Sequence, residues 1–164
     1  MLVLKFGGTS VKDESAYSQV LQIIRESANK DKCLIVLSAS AGITDTLIML
    51  MHFAVQNDIE NLKICYEKIS IHHFQLLFKL IPEDSQYYSE AEANVRSLLN
   101  ELQEITKSVN FLKESTPRTL DKIMSYGELL STTLMYYYSL HNNLNSFWID
   151  ARKIITTDST FNNA

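Results

Sequence analysis

The chemically most pointed stretch of the chain is Lys5-Phe6-Gly7-Gly8-Thr9-Ser10, a lysine at the end of an apolar run followed at once by paired glycines. A lysine supplies a compact positive charge, and glycines without a Cβ let backbone N–H groups come close to phosphoryl oxygens. The order excludes a P-loop, whose lysine follows its glycines, and the spacing is not that of the G-x-G-x-x-G dinucleotide fingerprint. A plain Gly-Gly turn beside a surface lysine fits the same six residues. A second stretch, Ser38-Ala39-Ser40-Ala41-Gly42-Ile43-Thr44, again follows an apolar run. Its small residues leave room, and the hydroxyls of Ser38 and Thr44 with the positive end of a following helix suit a carboxylate. An ordinary strand-to-helix loop with Thr44 as a cap is the alternative. The third stretch is Ser125-Tyr126-Gly127-Glu128 inside a helical pattern. A helix-interior glycine costs about 1 kcal/mol against alanine, so some other element should approach closely there. Glu128 beside it suits a substrate ammonium, or is simply an exposed glutamate next to a packing glycine.

Other reactive side chains carry less. His72-His73 near Cys65 has no CxxC or HExxH spacing, and His73 falls on an apolar stripe where a structural histidine is the commoner occupant, so no metal site is assigned. Tyr136-Tyr137-Tyr138 and Met49-Leu50-Met51 read as helix packing, and Lys63, Glu67 and Lys68 as a solvated face.

The elements that must position these groups follow from periodicity. Leu2 to Phe6 and Cys33 to Leu37 are continuous apolar runs, and the residues between them carry a helix capped by Asp13 with an apolar face at Tyr17, Val20, Leu21, Ile24 and Ala28. Two strands joined by a helix form a βαβ unit with a parallel pair, expected to be covered on both faces. Both glycine-bearing loops then lie at strand carboxyl ends, where ligands bind in open α/β sheets. Thr44 opens a helix through Leu47, Ile48, Leu50, Met51 and Val55, broken near Asn57-Asp58. Leu62 to Leu80 and Val95 to Val109 make two long amphipathic helices joined around Pro82 to Ser85, expected as an antiparallel pair forming a helical excursion from the sheet. Thr116-Pro117 starts another helix running to about His141. Ser146 to Ile149 and Ile154 to Thr156 read as third and fourth strands, leaving an open sheet edge that favours self-association into a homo-oligomer.

Composition bounds the partners. The 164 residues are 46% hydrophobic and 21% charged, with a formal net charge of -4 and only 4 glycines and 2 prolines, which argues for one helix-rich domain. The slightly acidic balance gives no global attraction to nucleic acid. No apolar run nears the roughly 20 residues that span a bilayer, so no membrane partner is expected. Met1 to Phe6 reads as a strand and not as a leader, and the two cysteines, each in an apolar pattern, fit a reducing cytoplasm.

Taken together, the three stretches resemble the amino-acid kinase family and specifically its aspartate kinases. The family's K-F-G-G-T-S signature stands here as Lys5 to Ser10, its second loop as Ser38 to Thr44, its S-x-G-E-x-L-S segment as Ser125 to Ser131, and the stretch after its third strand as Trp148 to Lys153 with Phe161 to Ala164. The S-A-S-A-G-I-T form is most similar to lysine-sensitive monofunctional aspartokinases. The resemblance implies a three-layer α/β/α sandwich of the carbamate kinase-like type, incomplete here, with residues 1–164 as the amino-terminal part of a kinase domain. It implies transfer of the ATP γ-phosphoryl group to the side-chain carboxylate of L-aspartate, giving 4-phospho-L-aspartate at the head of lysine, threonine and methionine synthesis, with Mg2+ arriving on the nucleotide. By the same resemblance Lys5 is the catalytic cation, Lys5, Gly7 and Gly8 line the phosphoryl path, Ser38, Ala39 and Thr44 hold substrate carboxylates, and Glu128 receives the α-ammonium.

The family's G-R-G-G-S-D segment, its adenine-binding elements and its ACT regulatory domains are not in these residues. The polypeptide alone is therefore expected neither to turn over ATP nor to respond to lysine. Two rivals stand beside this reading. A glutamate or carbamate kinase shares a lysine and glycines after the first strand but lacks the T-S continuation and the S-Y-G-E segment. A noncatalytic module using the long helices as a partner surface would show exposed apolar stripes there and an occluded Lys5.

Overall fold

The computed structural model describes residues 1–156. It begins with β1 (Leu2–Phe6), a 3-10 turn (Gly8–Val11), α1 (Glu14–Ala28) and β2 (Cys33–Leu37). The strands pair in parallel, with Lys5 opposite Val36 and Phe6 opposite Leu37. Asp13 caps α1 as its sequence predicts, accepting from the Ala16 amide at 2.9 Å, and Tyr17, Val20, Leu21 and Ile24 form the buried face. The expected coverage of both sheet faces is not seen among the described residues. Phe6, Ile35 and Leu37 turn into the core, whereas Val3, Leu34 and Val36 remain 59%, 42% and 40% exposed on the other face. Strand alternation puts Lys5 on that open face, so a continuous apolar run has one wall and not two.

Four helices complete the described chain: α2 (Ile43–Gln56), α3 (Ile59–Leu80), α4 (Tyr88–Leu112) and α5 (Pro117–His141). Asp45 is the only charged residue besides a histidine in α2, which lets this helix pack against α3, α4 and α5 at once. Leu47 and Leu50 of α2, Ile69 and Leu77 of α3, Val95 and Leu102 of α4, and Leu130 and Leu134 of α5 form the buried centre. The two long helices predicted around Pro82 are present and pack against each other, within a cluster that includes α2 and α5. Asn57, at φ 57°, closes α2, and the Asp58 side chain caps α3. Thr116 caps α5 with Pro117 in its first turn.

Two expectations are corrected. The cap of α2 is Gly42 at φ 78°, and Thr44 lies inside the first turn. The left-handed conformation suits glycine, and it swings the chain into the helix before Thr44 is reached. Residues 146–149 and 154–156 form no strand, because no described backbone runs beside them to make a ladder. Side chains anchor the first of these segments instead. The Trp148 indole donates to Thr132 Oγ1 at 3.0 Å, and buried Asp150 takes a forked hydrogen bond from Arg152, whose guanidinium lies 5.9 Å from the Tyr126 ring. A 3-10 turn (Ala151–Lys153) follows. Phe161 to Ala164 lie outside the described residues.

Candidate active site

Both strand-end loops and the glycine turn of α5 meet at one place. The Ser38 amide extends the sheet by donating to the Phe6 carbonyl at 3.0 Å, and the Ala41 amide donates to the Gly8 carbonyl at 3.1 Å. A Cβ on Gly8 would stand 2.7 Å from the Ala39 carbonyl oxygen and 3.3 Å from the Ala41 nitrogen. Gly8 is therefore required by the approach of the second loop. Gly7 has nothing within 4 Å of such an atom, and its backbone faces open space.

The third stretch closes on the second loop from the other side. A Cβ on Gly127 would meet the Ala39 Cβ at 2.6 Å and Leu47 Cδ1 at 3.3 Å. This is the close approach that a glycine inside a helix implies. Next to it, half-buried Glu128 accepts from the Ala39 amide through Oε1 at 3.3 Å. One turn further on, the Ser131 hydroxyl donates to the Ser38 carbonyl at 2.8 Å. Buried Tyr17 of α1 donates to the Ser131 carbonyl at 3.1 Å, and burial pushes its phenol far above the ordinary range. Gly127 and Ser131 are four residues apart and so share one helix face.

The structure thus brings together Gly8, Ser38, Ala39 and Glu128. Thr44 follows directly on this junction, half-buried in the first turn of α2, where Gly42 supplies no side-chain cap. The amides of Thr44 and Asp45 have no acceptor among the described residues, so the positive end of α2 keeps free donors beside the loop. Lys5 is exposed on the open sheet face, with no ion-pair partner among the described residues. A groove of about 300 Å³ lies on the outer side of the first loop, between Thr9, Ser10 and Lys12 and the α1 residues Ser15 and Gln19. It is lined by none of Lys5, Ser38, Thr44 and Glu128.

Three side chains of this framework carry no signal that sequence reasoning used. Ser131 was visible only as part of the S-Y-G-E-L-L-S segment, without a role. Ser40, 1% exposed, gives its proton to the Val11 carbonyl at 2.8 Å, and His72 Nε2 lies 2.8 Å from the same hydroxyl. His73 is the buried structural histidine its stripe position implies, with Nδ1 2.7 Å from the Ile69 carbonyl.

The amino acid kinase family profile matches residues 1–163. The chain belongs to the amino acid kinase family. It is 30% identical over 165 residues to lysine-sensitive aspartokinase 3 of Escherichia coli strain K12, a match that covers 100% of this chain and 34% of that protein. It is 32% identical over 169 residues to the chloroplastic aspartokinase 3 of Arabidopsis thaliana, covering 99% of this chain and 28% of the relative. The crystal structure of E. coli aspartokinase III in complex with aspartate and ADP superposes with a TM-score of 0.81 at 29% identity, over 98% of this chain and 33% of that one. The α/β fold expected from the sequence is therefore the fold of this family member. The chain spans about a third of the length of these two curated relatives.

The close contact at Gly127 makes a direct prediction. Gly127→Ala gains about 1 kcal/mol of helix propensity. It also drives a rigid Cβ into Ala39, an overpacking cost of about 1–3 kcal/mol. The substitution is expected to lower stability in urea titration by about 1 kcal/mol net. A variant more stable than the parent would show that Ala39 does not press on this turn.

Proposed function

We infer that the protein is an aspartate kinase, which transfers the γ-phosphoryl group of ATP to the side-chain carboxylate of L-aspartate to give 4-phospho-L-aspartate, the first step of lysine, threonine and methionine synthesis. Residues 1–164 are read as the amino-terminal part of its kinase domain, acting in the cytoplasm within a homo-oligomer. The observation that carries the reading is the convergence of the two strand-end loops on the Gly127-Glu128 turn, beside free helix-end donors.

A carboxylate is a nucleophile at neutral pH, so no general base is needed. The work is to bring two anions together and to stabilise charge as the phosphoryl group moves between oxygens. In this reading Lys5 offsets that charge, and the open backbone at Gly7 and Gly8 lines the path. Ser38, Ala39 and the first turn of α2 at Thr44 hold carboxylate oxygens. Glu128, tied to the Ala39 amide through Oε1, receives the substrate ammonium. Magnesium arrives on the nucleotide phosphates and supplies counter-charge there.

The test is a calorimetric titration of the chain with L-aspartate and with succinate, which lacks only the ammonium. Aspartate should bind, and succinate should bind roughly 10- to 100-fold more weakly, the span one hydrogen bond to a charged group accounts for. Glu128→Gln keeps an acceptor for Ala39 and removes the charge, so it should abolish the difference. Equal binding of the two acids by the parent chain would overturn the role of Glu128, and absence of aspartate binding would count against the reading. The chain alone should form no aspartyl hydroxamate from ATP, aspartate and hydroxylamine. The rival helical module has one feature in its favour, the exposed Ile64, Ile71 and Phe78 on α3, at 55%, 55% and 62%. The open position of Lys5 favours the kinase.

A further inference from the structure

The second loop is held from a direction that the reaction does not account for. Its centre, Ser40, is 1% exposed, and the Ser40 hydroxyl has one proton to give. That proton goes to the Val11 carbonyl at the end of the first loop, 2.8 Å away. The remaining contact of the hydroxyl, to His72 Nε2 at 2.8 Å, must therefore be one in which the histidine donates. His72 sits on α3, in the helical layer, 32 residues from Ser40. Its neighbour His73 uses the opposite nitrogen, since Nδ1 faces the Ile69 carbonyl at 2.7 Å and has to carry the proton there. Two adjacent histidines, with rings 5.0 Å apart, thus hold opposite tautomers. His73 serves its own helix, whereas His72 reaches out of it.

We propose that His72 is a positioning residue: from α3 it clamps the second loop onto the first through Ser40, and so fixes where Ser38 and Ala39 meet the amino-acid substrate. The link to substrate rests on the function proposed above; the clamp itself does not. The chain His72 Nε2–H to Ser40 Oγ–H to the Val11 carbonyl is complete and directional. It adds a side-chain tie from α3 to two loops that are otherwise joined to each other through backbone hydrogen bonds. The loop amides most dependent on that register are Ala39, bonded to Glu128, and Ala41, bonded to Gly8, and neither bond includes His72.

Amide hydrogen exchange on the chain, with nitrogen-15 shifts of the histidine rings, tests the clamp. His72→Phe keeps a ring and loses the donor. It should speed exchange at Ala39 and Ala41 about five- to tenfold, the ratio set by one net hydrogen bond, with the α5 core amides of Leu130 and Leu134 unchanged. His72→Gln places a donor near the Nε2 position and should restore protection, which a purely space-filling role would not. The ring of His72 should carry its proton on Nε2 and that of His73 on Nδ1. Should His72→Phe also loosen the core, Ser40→Ala decides: faster exchange at Ala39 and Ala41 supports the clamp, and unchanged exchange overturns it. In the aspartate titration, His72→Phe should bind more weakly by a similar factor, with recovery in His72→Gln. Unchanged protection, a proton on Nδ1 of His72, or parental affinity in His72→Phe would each overturn the proposal. Failure of the parent chain to bind aspartate would count against the proposed function, while the protection factors still judge the clamp.

Discussion

Lys5→Ala is expected to lower phosphoryl transfer about 10²- to 10³-fold in the complete protein that carries this chain, with the fold intact. Nucleophile and donor are both anions in the proposed reaction, so the barrier is dominated by charge brought together. A unit charge about 4 Å from a phosphoryl oxygen is worth about 4 kcal/mol at the effective dielectric of a protein surface. No acid among the described residues competes for this lysine. It is exposed on the open sheet face, has no ion-pair partner among the described residues, and sits opposite half-open Val36 in the parallel register. Truncating such a side chain changes stability by no more than about 0.5 kcal/mol. The hydroxylamine-trapped rate should therefore collapse while the urea midpoint stays put. A rate within threefold of the parent would remove Lys5 from the chemistry, and a shifted midpoint would show that the lysine has a structural partner.

Local rules located most of what holds the site, because the decisive residues act on their near neighbours. Asp13 announces α1 through its own backbone turn, Pro117 announces α5 through its fixed φ, and Gly127 announces a close approach because nothing else justifies a glycine inside a helix. What approaches Gly127 was not legible, since Ala39 lies 88 positions away and an alanine has no distinctive chemistry. The same limit hid the Ser131 to Ser38 bond and the His72 to Ser40 contact, which join ordinary hydroxyls and rings across long separations. Gly42 as the cap of α2 was hidden by a hydroxyl at Thr44 that has the right chemistry two residues too late. The segment 146–149 was misread for another reason. Apolar content reports that a strand would be comfortable, but a strand exists only where a second backbone accepts its hydrogen bonds, and here the Trp148 indole ties the segment to α5. The uncovered sheet face follows the same logic, because apolarity records a demand for cover without saying which residues meet it.

Acidification should begin to destabilise the chain above the carboxylate range, through His73. This ring is fully buried in α3, and burial pulls its pKa from 6.5 down to about 3, against a smaller opposing effect of the Ile69 carbonyl. Above pH 6.5 native and unfolded chains both hold it neutral, and its contribution to stability is whole. As the pH falls below 6.5 the unfolded chain takes up a proton that the native chain refuses. Stability then drops by about 1.4 kcal/mol per pH unit for one proton, until the native pKa is reached. Between pH 6.5 and 4.5 the loss is about 2 kcal/mol, a sizeable share of a typical margin of about 5–15 kcal/mol. His72, also held below its ordinary value by burial and by Lys68, shifts the balance in the same direction. Asp31, Asp58 and Asp150 act later, because their carboxyls are held below the usual range by hydrogen bonds from the amino terminus, Asn61 and Arg152 respectively. His73→Leu separates the two windows. The Ile69 carbonyl keeps its helical amide partner, and the buried Nε2 atom, which has no hydrogen-bond partner among the described residues, disappears. Urea titrations at pH 7.5, 6.5, 5.5 and 4.5 should then show the slope reduced by close to one proton in the variant. An unchanged slope would mean that the ring is hydrated or already charged in the native chain, and the acid sensitivity would have to come from elsewhere.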